Sequence, residues 1–154
     1  MLQNVENFME NSKKIAIGGD HAGFEYKAEL IKVLTAEGYQ VEDFGPFSNA
    51  SCDYADFAHP VASAVENQDF IYGILLCGSA NGVAITANKH QGIRAGLAWN
   101  VEVASLIRQH NDANVLCIPA RFTTLEEALE IMNVFLTTAF EGGRHQLRID
   151  KIPC

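Results

Sequence analysis

The run LLCGSANG, residues 75–82, puts the Cys77 thiol at the mouth of a loop of small residues: Gly78, Ser79, Ala80, Asn81 and Gly82. A loop of this kind ahead of a helix leaves backbone N–H groups unpaired and adds the partial positive charge of the helix dipole. Such a turn can hold a phosphate, or the oxyanion that forms during a reaction. The same field is expected to lower the thiol's pKa and make Cys77 a better base or nucleophile. Taken alone, the plainer reading is the stronger one. Cysteine is among the most buried residue types, and Cys77 would end a core strand.

Three other groups of residues could do chemistry. GGDHAG places Asp20 and His21 at a second strand end, where they could supply an acid/base and a hydrogen bond to a sugar hydroxyl or phosphate. Either could equally be the N-cap of the following helix. RQHNDAN sets His110 and Asn111, an acid/base beside an amide, at a helix end, where a histidine also suits the dipole and an asparagine a C-cap. EGGRHQLR carries Arg144, His145 and Arg148 in one short tail. The two arginines share a face if the segment is helical, and a pair of guanidinium groups suits a dianionic phosphate. The alternative is a solvated basic tail. Arg121 and Tyr54 are weaker candidates, with a surface ion pair and a packed loop aromatic as their alternatives. His59 and His90 have no evident partner, and no set of His, Asp and Glu argues for a metal.

The elements that must position these residues follow from periodicity. KKIAIGG, YQVEDFG, FIYGILLCG, GIRAGLAW and ANVLCIPA are short apolar or β-branched runs and read as strands. Between and after them come helical patterns. AGFEYKAELIKVLTAEG has Phe24, Ala28, Ile31 and Leu34 on one face and Gly38 placed to stop it. ADFAHPVASAVEN should carry Pro60 in its first turn or break there. NGVAITANK is short, NVEVASLIRQHN is capped by Asn100, and TLEEALEIMNVFLTTAF is the clearest helix. Strict alternation predicts an α/β fold: one doubly wound domain over residues 13–154, a five-stranded parallel sheet with helices on both faces, Rossmann- or flavodoxin-like. The expected strand order is 2-1-3-4-5, with a ligand site outside the carboxyl ends of strands 1 and 3. GGDHAG and LCGSANG would then lie side by side. The end of the fourth helix would lie toward the amino edge of the sheet, so a catalytic His110 would have to come from a second subunit. Residues 1–12 read as a short polar extension.

Composition narrows the partners. Apolar residues make up 48% and charged residues 19%, an ordinary globular balance, and the formal net charge is −8. An acidic chain is a poor general binder of nucleic acid or anionic membrane, so an anionic ligand needs a local basic cluster. The four cysteines, Cys52, Cys77, Cys117 and Cys154, form no CxxC and no zinc spacing. With no secretion signal and no run of roughly 20 apolar residues, the expected location is the cytoplasm and the expected thiols are reduced.

Together these segments resemble the ribose-5-phosphate isomerase B family, which includes the subunits of galactose-6-phosphate isomerase. KKIAIGGDHAGFEYK, DYADFAHPVA, GILLCGSANGVAITANKHQGIRAGLAW, RQHNDANVL and EGGRHQLR carry the resemblance, in order and from Lys13 almost to the end. It implies aldose–ketose isomerisation through an enediolate, with no metal or organic cofactor, in a homodimer with shared active sites or a tetramer built from it. It implies Cys77 as the base, and Ser79 with N–H groups from Gly78 through Asn81 to Gly82 as the enediolate's donors. Asp20 and His110 would open the sugar ring, and Asn111 would bind from the partner side. His21, Arg144 and Arg148 would hold the phosphate, with Arg121 in support and Tyr54 lining the pocket. The implied substrate is ribose 5-phosphate. The alternatives are a six-carbon sugar phosphate such as allose 6-phosphate or galactose 6-phosphate, or a non-catalytic sugar-phosphate-binding module. Many members have glycine where this chain has Ala80; a positive φ there would strain the alanine, but the expectation is helical backbone, with the methyl group tolerated.

Overall fold

The computed structural model describes residues 13–154; the polar segment 1–12 lies outside them. Five strands form the sheet: β1 (Lys14–Gly19), β2 (Gln40–Asp43), β3 (Tyr72–Cys77), β4 (Ala95–Leu97) and β5 (Val115–Pro119). Every pairing is parallel. Six α-helices accompany them among the described residues: α1 (Phe24–Ala36), α2 (Tyr54–Glu66), α3 (Asn81–Ala87), α4 (Val101–Asn111), α5 (Leu125–Thr137) and α6 (Arg144–Ile149).

The central strands alternate between two cores, as a sheet covered on both faces requires. Ile15, Ile17, Ile74 and Leu76 point to the layer of α1, α4 and α5, where Leu30, Leu34, Ala104, Ile131 and Phe135 meet them. Ala16, Leu75 and Cys77 point the other way, to Val61, Val65 and Val83 of α2 and α3. The α/β class, the five parallel strands and the two helical layers match the expectation. Neighbouring β1 and β3 form the switch point.

The strand order does not match. It is β2-β1-β3-β5-β4, so the last two strands exchange places relative to 2-1-3-4-5. Burial supplies the reason. All five residues of β5 are buried, whereas β4 has only three residues, each half-buried. The short, half-buried strand suits an edge, where one side is unpaired.

Pro60 also departs from expectation. It sits inside α2, at neither its first turn nor a break. One backbone hydrogen bond is forfeited, but Ala58, Val61, Ala62 and Val65 anchor the helix on the sheet. At the chain end, the expected tail is helical over Arg144–Ile149. No helix among the described residues is long and apolar enough to cross a membrane.

Candidate active site

The two glycines that end β1 bring the two chemical loops together. A Cβ on Gly19 would lie 2.1 Å from the Leu76 carbonyl oxygen, so only glycine allows this approach. The Asp20 N–H then donates to that carbonyl at 2.9 Å. Asp20 itself is 7% exposed. Its Oδ1 caps the following turn, accepting from Ala22 N and Gly23 N. Its Oδ2 accepts a hydrogen bond from Cys77 Sγ at 2.9 Å. The cap and the chemical reading of Asp20 are therefore one arrangement: capping with one oxygen aims the other at the thiol.

The thiol's ionisation runs opposite to the sequence expectation. Burial, then the Asp20 hydrogen bond and charge, push the Cys77 pKa up from 9.0 to about 11, against the opposing pull of the Ala80 and Gly78 N–H groups. The loop dipoles act in the expected direction but are outweighed, because a desolvated thiolate beside a carboxylate is costly. Ala80 departs from the favoured helical reading as well. Its backbone is left-handed, φ 62° and ψ 0°, not helical, and it caps α3 while fully buried.

Other predicted residues gather at the same strand ends. Arg121 lies against Gly78, where a Cβ would be 3.3 Å from the Arg121 Cδ, and its N–H donates to the Gly78 carbonyl. The Tyr54 ring covers Gly82 so closely that a Cβ there would lie 2.5 Å from it. Ser79 and Asn81 are exposed, and the Ser79 hydroxyl accepts from the Asn81 side-chain amide at 3.3 Å. His21 accepts at Nδ1 from the Cys52 N–H at 3.4 Å, which ties the end of β1 to the loop before α2.

His110, Asn111, Arg144 and Arg148 are not part of this cluster. The end of α4 lies at the amino edge: the Asn111 carbonyl accepts from Arg94 Nε, just before β4, and the Asn114 carbonyl accepts from Gly73 N at the start of β3. Glu141 N donates to the Gln109 carbonyl, which joins the segment leading into α6 to the same end. Strand β3 runs from Tyr72 at that edge to Cys77, roughly 17 Å at the rise of an extended chain. His110 stacks on buried His145, with ring centroids 4.3 Å apart and planes 8° from parallel. Arg144 and Arg148 are exposed and make no ion pair among the described residues.

Several contacts had no signal in the sequence. His59 Nδ1 lies 2.9 Å from His90 Nε2, and His90 Nδ1 lies 3.0 Å from the Glu66 carboxylate, so each histidine has a partner far away in sequence. Glu141 joins His110 and His145 in a group whose nitrogen and oxygen atoms lie within 4.8 Å of one another. The pair of glycines between Glu141 and Arg144 hides that grouping from any helical spacing rule. Lys27, 2% exposed, bonds to Asp43 and to the Pro46 carbonyl, and so pins the loop that leads to Cys52 and Tyr54.

Comparison with known proteins places this geometry. A probable ribose-5-phosphate isomerase B from Mycoplasma genitalium is 46% identical over 143 residues, 92% of this chain and 94% of that protein. The ribose-5-phosphate isomerase B of Escherichia coli K12 is 44% identical over 140 residues, 91% and 94% of the two chains. Among solved structures, a ribose 5-phosphate isomerase from Thermotoga maritima superposes with a TM-score of 0.89 at 45% identity, covering 91% of this chain and 97% of that one. The Mycoplasma genitalium enzyme with bound ribulose-5-phosphate gives 0.87 at 45% identity, over 90% and 93%. Residues 15–152 match the sequence model of the Ribose/Galactose Isomerase family. With the Cys77–Asp20 pair at the switch point and similarity along almost its whole length, the chain belongs to the Ribose/Galactose Isomerase family.

Proposed function

We propose that this protein is an aldose–ketose isomerase that interconverts ribose 5-phosphate and ribulose 5-phosphate through an enediolate. The observation that carries the reading is the Cys77–Asp20 hydrogen bond at the carboxyl ends of β1 and β3. Relatives named for this reaction, 44–46% identical over nine-tenths of the chain, support the choice of substrate.

The chemistry divides into two proton problems. Ring-form ribose 5-phosphate must first open, moving a proton from the C1 hydroxyl to the ring oxygen; Asp20 and a His110 from a partner subunit handle these protons. The C2 proton is then removed and the electron pair moves toward the C1 oxygen; a proton is delivered to C1 from the base, and the hydroxyl proton passes from the C2 oxygen to the C1 oxygen as C2 becomes the ketone. Cys77 is the base for that transfer. It must first lose its own proton, and Asp20 Oδ2 is the acceptor already hydrogen-bonded to it. Ser79 and the loop N–H groups from Gly78 to Gly82 face the charge on the enediolate oxygen. Removing one such donor typically costs about 100- to 1000-fold in rate. His21, Arg144 and Arg148 bind the phosphate, with Arg121 in support.

The positions of His110, Arg144 and Arg148 at the amino edge favour a homodimer in which each site draws on both chains. Exposed Trp99, Val101 and Leu106 along β4 and α4 offer apolar surface for such a contact. Four free cysteines suit the reducing cytoplasm.

The test is an assay over ribose, allose and galactose phosphates with the wild type and Cys77→Ala. Wild type should turn over ribose 5-phosphate best, and Cys77→Ala should lose at least about 1000-fold in kcat while still binding a phosphate sugar. Preference for a six-carbon phosphate, or wild-type turnover by Cys77→Ala, would overturn the assignment.

A further inference from the structure

Among the buried titratable side chains that the mechanism above leaves unused, one touches a residue that it does use. His145, on α6, is 4% exposed. Its Nε2 is buried with no hydrogen-bond partner, and the nearest carboxylate oxygen, Glu141 Oε2, is 3.4 Å away. The charged and titratable groups that face it are His110 from α4, Glu141 from the segment before α6, and Arg144 and Arg148 from its own helix. Burial first, then His110 and Arg144, hold its pKa below the usual histidine range, against Glu141. The ring therefore stays neutral at neutral pH.

Two functions could explain a His–His–Glu grouping here. A metal ion is the first, since three ligand atoms lie within 4.8 Å. Imidazole lone pairs lie in the ring plane, however, and planes only 8° from parallel aim them side by side, not at a common point. The stack itself is the better-defined feature. A flat ring 4.3 Å from the His110 ring restricts rotation of that side chain and offers a π face to its protonated form.

We propose that His145 is a positioning residue for His110: its buried ring is the wall that holds the His110 imidazole in the orientation needed to move the ring-opening proton. The inference rests on the role assigned to His110 above. Proton transfer is steep in geometry: a misplacement of about 1 Å can cost about 100-fold.

The test separates ring opening from proton transfer at carbon. Ribulose 5-phosphate carries its phosphate on the hydroxyl that would close a five-membered ring, so it is open-chain. Exchange of its C1 proton with solvent deuterium therefore needs Cys77 but no ring opening. His145→Leu, similar in volume but not flat, and His145→Ala should each lower kcat for ribose 5-phosphate about tenfold. KM and the deuterium exchange rate should stay within about twofold of wild type. His145→Phe, which restores a flat ring without nitrogens, should recover most of kcat. Equal losses in turnover and exchange, or no loss in Leu and Ala variants where His110→Ala is impaired, would overturn the inference. So would a Phe variant as slow as the Leu variant. Wild-type turnover by His110→Ala would instead remove the role of His110, and this inference with it.

Discussion

Cys77 is kept protonated by the surroundings that also give it a proton acceptor. Burial and the Asp20 carboxylate raise its pKa to about 11, so at neutral pH the thiol is the resting form and the hydrogen bond to Oδ2 is its exit. A neighbouring anion disfavours a thiolate, so removing that charge must lower the pKa. Asp20→Asn should move the thiolate titration, followed by absorbance near 240 nm, to lower pH than the wild type's value of about 11. The variant should alkylate faster with iodoacetamide at pH 8 yet isomerise more slowly, because the acceptor is gone. A titration unchanged or shifted upward would contradict the proposed coupling. At this scale the sequence named Asp20 and Cys77 but could not predict their ionisation, which depends on how much water each loses on folding. The His59–His90–Glu66 chain was invisible for a simpler reason: its members are joined only by the fold.

The loop between β3 and α3 makes an element-scale demand that alanine meets poorly. Ala80 at φ 62° carries the left-handed penalty of about 1–2 kcal/mol for a residue with a Cβ. Its buried methyl recovers about 0.8 kcal/mol. The difference predicts that Ala80→Gly stabilises the protein by about 0.2–1.2 kcal/mol, a rise in Tm of roughly 0.5–5 °C for a chain of this size. Calorimetry on the purified variant checks it; a lower Tm would mean that the methyl packs more tightly than its area suggests. The periodicity that located β3 and α3 says nothing about the dihedral angles of the residue between them. For the same reason it could not order β4 and β5. Both were legible as strands, but a three-residue half-buried strand and a five-residue buried one differ chiefly in what packs on them.

Across the whole molecule, the residues assigned to one reaction divide into two groups at opposite edges of the sheet. Asp20, Cys77 and the loop donors sit at the carboxyl edge; His110, Arg144 and Arg148 sit at the amino edge. On the proposed roles, a complete site draws on two chains. Mixing the inactive Cys77→Ala and His110→Ala chains should return activity, because a hybrid dimer holds one intact site and one doubly defective site. With free exchange of subunits, half the dimers are hybrids, so recovery should approach about one quarter of wild-type specific activity. An activity that stays at the level of the separate variants, with exchange verified by mass, would argue for a site within one chain.

What the sequence determined alone was everything carried by local pattern. Alternating runs of period two and period 3.6 specified the α/β class. Small residues at strand ends marked the two loops, and the ordered motifs identified the family. The separation of His110 from Cys77 was legible too, because a helix that returns from a parallel strand must end at the amino edge. Only the tertiary structure decided the order of the last two strands, the left-handed backbone at Ala80, the raised thiol pKa and the burial of His145 against His110. Each of these depends on contacts between segments distant in sequence and on the water those contacts exclude, and neither quantity is written in the spacing of residues along the chain.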